Sequence, residues 1–404
     1  MKIAFNTLVE NPRKPTGSTV FFQKILREFG RLDRVNQYYV LGSKSSRQLC
    51  PSGYANFQYV DCYANSERRL LREFIAQFVV PFRLWKDQID VYFSPQNISP
   101  LFVPGKAKVI VFLYGTHHWR NDSGMSPLKR FFRKTVSRLA KAQTTLFVAN
   151  SDACKMDILQ FLRIPEAQIR VVPEACDFDL FGRRDLMPAE LGRLSEFNLV
   201  PGRYFLFVSM IYFYKNVHTL VEAFGRLCQK ENHPYDLALV GRMDVTNVGK
   251  GSYIDTIRAI ARKYGIEKRI KFVGYIPHDE LFPFYRGARM LIQPSFYETF
   301  GKSVLEAMAC GVPIVGSNTG ATPEVMGDTG LLFDPKDPEQ LCDQMRRLIK
   351  DEQLYHRCAE RAGQRAQQFT FEQQAFGLIQ AFTEANGGGT EAATAQRHDR
   401  SGKL

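Results

Sequence analysis

The chain has 404 residues, 45% of them apolar and 24% charged, with a formal net charge of +13. At about 150 residues per domain this length accommodates more than one core, and the average composition excludes wholesale disorder, a collagen-like repeat and a coiled-coil rod. Residues 1–200 carry 29 Lys/Arg against 18 Asp/Glu, whereas residues 201–404 carry 25 against 23. A basic half beside a near-neutral half points to an anionic partner: membrane lipid, nucleic acid or a phosphorylated substrate.

In chain order, strand-like runs near 2–8, 37–42, 89–94, 107–113, 144–149 and 168–172 alternate with helix-compatible stretches. The spacing of Phe22, Ile25, Leu26 and Phe29 predicts a helix over 18–32 with an apolar core face. The second half repeats the plan with strands at 204–209, 236–240, 270–273, 289–293 and 312–316. This βα alternation predicts an α/β fold of two doubly wound, Rossmann-like domains, whose ligands would sit in a cleft at the carboxyl ends of the strands. Residues 195–202 end in the turn signal Pro201-Gly202. The expected domains are therefore 1–195 and 196–368, with a helix over 369–385 packing back toward the first domain. Residues 386–404 have few large apolar side chains and are expected to be a disordered tail.

The eight cysteines form no C-x-x-C pair, which argues against a zinc site or a disulfide framework and fits a reducing compartment. The start, Met1-Lys2-Ile3-Ala4-Phe5-Asn6, lacks the apolar core of a signal peptide. A cytoplasmic location, peripheral at most on the inner face of the membrane, is the expectation.

Residues 293–335 carry the chemistry. A strand ends at Pro294-Ser295, a loop presents Glu298, and Thr299-Phe300-Gly301 leads into a helix from Lys302 to Cys310 that Gly311 and Pro313 terminate. The N–H groups of Gly301, Lys302, Ser303 and Val304 make a positive helix terminus suited to a phosphate. Glu298 before the helix and Glu306 one turn inside it can accept hydrogen bonds from hydroxyls on either side of that phosphate, as a nucleotide sugar would require. The plain alternative is a loop carboxylate and a solvated helix face.

The strand, the E-x-F-G turn, the run Glu306-Ala307-Met308-Ala309-Cys310-Gly311-Val312-Pro313 and the later Gly320-Ala321-Thr322-Pro323-Glu324-Val325 resemble the donor-site signature of glycosyltransferase family 4, enzymes of the GT-B fold. The resemblance is strongest over 204–340 and colinear in the first half. It implies that Glu298 contacts donor sugar hydroxyls, that Glu306 holds the ribose, and that Phe300, Gly301, Lys302, Ser303 and Val304 line the sugar and diphosphate. Lys302 stands where the family often has an aliphatic residue, and either adds charge near the phosphates or faces solvent. Val208-Ser209-Met210-Ile211-Tyr212-Phe213-Tyr214-Lys215-Asn216 is similar to the family's phosphate loop. Lys215 matches the lysine that neutralises the leaving diphosphate, Ser209 and Asn216 flank the donor, and Met210 replaces a common arginine. Gly17 matches the glycine loop after strand one, and His117 or His118 would stand in for a sugar-contacting histidine. Glu298, Lys215, His117 and His118 are thus the catalytic candidates.

The resemblance further implies retention of anomeric configuration, a UDP-, GDP- or ADP-sugar donor, no cofactor and no metal. A hexose such as mannose would move to a saccharide or lipid-linked saccharide in surface polysaccharide or lipopolysaccharide synthesis. Two runs bear on the acceptor. Residues 126–144 hold six Lys/Arg and no acid, and residues 67–86 (ERRLLREFIAQFVVPFRLWK) are similar in kind. Each is either a core-facing stripe with a solvated basic back or a face that lies on anionic lipid. The alternatives are a nucleotide-sugar epimerase of the same fold, or a basic protein binding nucleic acid or another anionic surface. The pattern of basic and aromatic residues expected of a nucleic-acid module is absent, so nucleic acid is not an expected partner.

Overall fold

Two parallel sheets organise the chain, described in a computed structural model over residues 1–12, 17–64, 69–95, 99–114, 119, 131, 134–135, 138–139, 141–243 and 252–388. The first comprises β1 (Lys2–Asn6), β2 (Gln37–Ser43), β3 (Phe57–Ala64), β4 (Val91–Ser94), β5 (Lys108–Leu113), β6 (Thr144–Ala149) and β7 (Ile169–Val171), in the order β3-β2-β1-β4-β5-β6-β7. The second comprises β8 (Tyr204–Val208), β9 (Asp236–Val240), β10 (Ile270–Gly274), β11 (Met290–Gln293), β12 (Ile314–Ser317) and β13 (Gly330–Phe333), in the order β10-β9-β8-β11-β12-β13. The central strands read as continuous apolar runs because helices cover both faces, as in β8 with its sequence YFLFV.

Two strands were not foreseen, and both lie at sheet edges. In β3 the polar Gln58 and Asp61 interrupt the apolar run, since an edge strand is only half-covered. In β13 only four residues pair, three of them half-buried.

The chain divides into two compact units. The core of the first gathers Phe5, Phe29, Tyr38 and Phe93 beneath the sheet. The helix Phe371–Ala385 joins this unit and completes that core: Phe382 is fully buried, with its ring 5.3 Å from that of Phe93. Gly377 allows this helix to approach the residue that follows β7, since a Cβ there would sit 3.1 Å from Val172. The second unit runs from Cys176 to Thr370 and so begins ahead of the Pro201-Gly202 turn. Its opening segment is held by the helix Pro188–Ser195 packed on the helix Phe282–Arg286, and by the Arg184 guanidinium 3.8 Å from the Phe282 ring centre. Of the expected tail, residues beyond Gly388 lie outside the described residues.

Strand order reverses between β1 and β4 in the first sheet and between β8 and β11 in the second. Loops leaving the carboxyl ends of such neighbours diverge to opposite faces and open a crevice, which is where open α/β sheets bind ligands. Among the described residues no helix is long and apolar enough to cross a membrane, and all eight cysteines are free.

Candidate functional site

The second unit's crevice is built from the loops after β8 and β11. After β8 a short turn, Phe213–Lys215, presents Lys215; after β11 the loop presents Glu298. Glu298 Oε1 accepts from Lys215 Nζ at 2.7 Å, from Gln293 Nε2 at 2.5 Å and from Ser295 Oγ at 2.6 Å. The other end of the Gln293 amide accepts from Ser303 Oγ at 3.0 Å, which ties the carboxylate to the first turn of the next helix. Burial opposes the charge on Lys215, but the Glu298 carboxylate outweighs it and holds the ammonium above the ordinary lysine pKa. A fixed cation therefore lies at the switch point. Gln293, at the last position of β11, was not foreseen as a site residue; its place directly before Pro294-Ser295 was the available signal.

The loop bearing Glu298 is clamped from β12. Ala321 N donates to Glu298 O at 2.9 Å, and Thr319 Oγ1 donates to Phe296 O at 2.9 Å. Gly320 has φ +60°, and a Cβ there would meet Glu298 O at 2.6 Å, so both conformation and space require glycine. Gly301 has φ +97° and starts the helix Lys302–Ala309 without a side-chain cap. The expectation that the first four N–H groups all face a ligand needs one correction: Val304 N donates to Gly301 O at 3.0 Å in a tight first turn. Phe300 is buried with its ring against Phe369, so its contribution to the loop is made through its backbone.

Glu306 forms a second cluster one turn into that helix. It is buried, and its two oxygens accept separately, from His278 Nε2 at 2.8 Å and from Tyr285 Oη at 2.7 Å. Tyr285 is fully buried, and burial together with the Glu306 charge pushes its phenol well above the usual range, so it acts as a donor. Phe181 walls the cluster, its ring 5.2 Å from His278 and 5.6 Å from Tyr285. His278 and Tyr285 were missed because no sequence spacing relates them to Glu306. A carboxylate offers about four lone-pair positions, so these two bonds leave capacity to accept from further hydroxyls.

The remaining candidates fall differently. Asn216 is fully buried in the left-handed region, and its amide donates to Pro294 O at 3.0 Å and Pro335 O at 2.6 Å while accepting from Thr219 Oγ1 at 2.6 Å. It is a clamp that fixes the Lys215 turn. Ser209 continues β8 through Ser209 N to Val240 O at 3.0 Å, with the Gly241 backbone so close that a Cβ there would lie 1.8 Å from Ser209 O. Lys302 is half-buried, and its charge reaches the buried thiol of Cys176. Met210 is exposed. Gly17 is the first residue of the helix Gly17–Leu32, and His117 and His118 lie outside the described residues. Most of the 126–144 run also lies outside them.

In the first unit, a recess at the β1–β4 switch point is lined by Asn6, Arg72, Glu73, Gln77, Tyr92 and Ser99. Asn6 Nδ2 donates to Tyr92 Oη at 2.9 Å, and the buried Ser99 hydroxyl makes no hydrogen bond among the described residues. Nearby, Asn150 Nδ2 donates to Glu174 Oε1 at 2.8 Å, and Ser151 Oγ caps the next helix through Cys154 N at 2.9 Å.

Residues 197–365 match the family model described as glycosyl transferases group 1. A curated relative, the O-antigen chain mannosyltransferase B of Escherichia coli, is 32% identical over 228 residues, covering 56% of this chain and 57% of that protein. The chain thus spans little more than half the length of that relative. Among solved structures, the sucrose-phosphate synthase of Thermosynechococcus elongatus superposes with a TM-score of 0.72 at 19% identity, over 95% of this chain and 98% of that one. Anabaena HepE, solved in complex with UDP and glucose, gives 0.70 at 18% identity over 95% of this chain and 100% of that one. With two doubly wound parallel sheets, the chain has the GT-B fold, and its second unit is similar to the glycosyl transferases group 1 family.

Proposed function

We propose that the chain is a retaining glycosyltransferase that moves a hexose, mannose or a similar sugar, from a UDP-, GDP- or ADP-sugar to a saccharide or lipid-linked saccharide acceptor. The observation that carries this reading is the Lys215 ammonium fixed beside Glu298, in the same bonded network as the first turn of the Lys302–Ala309 helix. In the reaction the bond from the anomeric carbon to the diphosphate oxygen breaks, and its electron pair leaves with the nucleoside diphosphate. The acceptor oxygen forms the new bond on the same face, and its proton passes to the departing phosphate oxygen. Lys215 and the N–H groups at the helix terminus stabilise the negative charge that grows on the leaving side. Glu298, whose Oε1 stays on Lys215, accepts from sugar hydroxyls at its other carboxylate oxygen, and Glu306 accepts from the ribose. No step calls for a metal.

The mannosyltransferase relative supports assignment to surface polysaccharide synthesis, and the HepE complex supports a nucleotide-sugar donor. The test is a thermal-shift panel of UDP-, GDP- and ADP-sugars, followed by transfer to saccharide acceptors with the product's anomeric configuration read by NMR. Stabilisation by one donor and a retained anomeric centre are expected. An inverted product overturns the retaining mechanism, and no response to any donor overturns the assignment.

A further inference from the structure

The segment 69–86 is a continuous helical rod in which the turn Ile75–Val79 is π-helical, between helices Arg69–Phe74 and Val80–Lys86. The wide turn adds a residue to the repeat, so the buried positions run Ile75, then Val80 with Pro81, then Leu84. The opposite face then carries Phe74 (57% exposed), Phe78 (63%), Phe82 (53%) and Trp85 (53%). These rings pair along the rod, Phe74 with Phe78 at 4.8 Å and Phe82 with Trp85 at 6.0 Å. The reading of the run as a core stripe with a solvated basic back does not hold: the stripe facing the core is there, but the opposite face is aromatic.

The patch is continuous with a loop. Leu101 N donates to Gln77 Oε1 at 2.9 Å, and a Cβ at Gly105 would lie 3.5 Å from Trp85 Cδ1, so residues 101–105 run alongside the rod. Leu101 and Phe102 are themselves exposed, at 47% and 66%. Contiguous exposed apolar surface of this kind marks an interaction site. At the Trp85 end of the rod Lys86 is exposed and Arg83 partly so, while the acid Glu73 lies beside Arg72 on the face that lines the recess.

We propose that this face docks on a bilayer bearing anionic headgroups, with the aromatic rings seated at the headgroup–acyl boundary and the flanking cations on phosphate. Aromatic rings with one wet edge favour that boundary, and long basic side chains extend from it to lipid phosphate. Charge complementarity selects this occupant over a second copy of the chain, which would bring like-charged faces together. The proposal rests on the reading of the acceptor as lipid-linked: docking would present such an acceptor to the first unit.

The test uses the full chain and vesicles of phosphatidylcholine with and without phosphatidylglycerol. The chain has two tryptophans, and Trp119 is buried, so a lipid-induced change in emission reports Trp85. Cosedimentation with the anionic vesicles, a blue shift, and quenching by brominated lipid that Trp85→Phe removes are expected. A triple variant, Phe74→Ser, Phe78→Ser and Phe82→Ser, should lose on the order of tenfold or more in partitioning. Failure of the wild type to bind, Trp85 emission unmoved by lipid, equal binding to neutral vesicles, or undiminished binding by a folded triple variant overturns the proposal. So does a dimer that the triple variant dissolves, which would make a second copy the occupant. Nucleotide-sugar binding is measured alongside, so that loss of docking with donor affinity intact leaves the transferase reading standing.

Discussion

Lys215 Nζ lies 2.7 Å from Glu298 Oε1, joining residues 83 positions apart at the carboxyl ends of two neighbouring strands. The pair is mostly shielded, with side-chain exposures of 13% and 12%. It keeps a cation in place before any ligand arrives, so little reorganisation is needed when charge develops on a leaving group.

Replacing Lys215 by Ala should lower kcat of sugar transfer by about 100-fold or more, the usual effect of removing one preorganised stabiliser of transition-state charge. Lys215→Arg should restore part of it, since the guanidinium keeps the charge but not the compact ammonium geometry. Steady-state kinetics with the donor found in the thermal-shift panel checks both, and a K215A enzyme with unchanged kcat removes Lys215 from the chemistry.

Glu306 should separate binding from stability. Glu306→Ala leaves the buried Tyr285 hydroxyl without its acceptor and should cost about 1–3 kcal/mol in thermal unfolding. Glu306→Gln keeps one acceptor oxygen and should unfold nearer to the wild type while still binding nucleoside diphosphate more weakly. Calorimetric titration of the Gln variant with wild-type affinity would remove the ribose role.

Gly320→Ala should impair the site without touching any ligand-binding side chain. The new methyl would strain a backbone at φ +60° and meet Glu298 O at 2.6 Å. Loss of about 1–3 kcal/mol in stability is expected, with a fall in kcat/KM as the Glu298 loop shifts. A variant of wild-type stability and activity would show that the clamp is dispensable.

The bonded network around Glu298 was largely legible because strand-end loops in a βα repeat converge: Lys215, Glu298 and Ser303 each follow a strand of the second half and meet at the β8–β11 switch point. What stayed hidden came through tertiary packing. His278 and Tyr285 reach Glu306 from the segment after β10, which no periodicity connects to the Lys302–Ala309 helix. Asn216 sits beside Lys215, and its side chain holds the turn through bonds to Pro294, Pro335 and Thr219 that no spacing foretells. The edge strand β3 escaped notice because Gln58 and Asp61 break its apolar run, and β13 because four residues, GLLF, are too short a run to stand out as a strand. In the rod 69–86, apolar residues on all sides concealed which face is buried until the π-turn set the register.

Acid should weaken the first unit through Asp33. Burial alone would raise its pKa, but donation from Tyr38 Oη at 2.6 Å and from the Asn36 and Val35 groups outweighs burial and holds it below the ordinary aspartate value. Its folded pKa is depressed, so its stabilisation is present above the unfolded value of about 3.9 and is lost as pH falls through the lower folded value. Asp33→Asn should therefore be less stable at neutral pH and show a shallower loss below about pH 4. Acid unfolding followed by circular dichroism checks this, and parallel curves for variant and wild type would contradict it.

The most direct measurement is calorimetric titration of the wild type and Lys215→Ala with UDP, GDP and ADP. The account predicts that at least one diphosphate binds the wild type and that the variant binds it about tenfold or more weakly, equivalent to about 1.4 kcal/mol of lost contact. If none binds, or if the variant binds as tightly as the wild type, the pyrophosphate does not rest on the cation held beside Glu298.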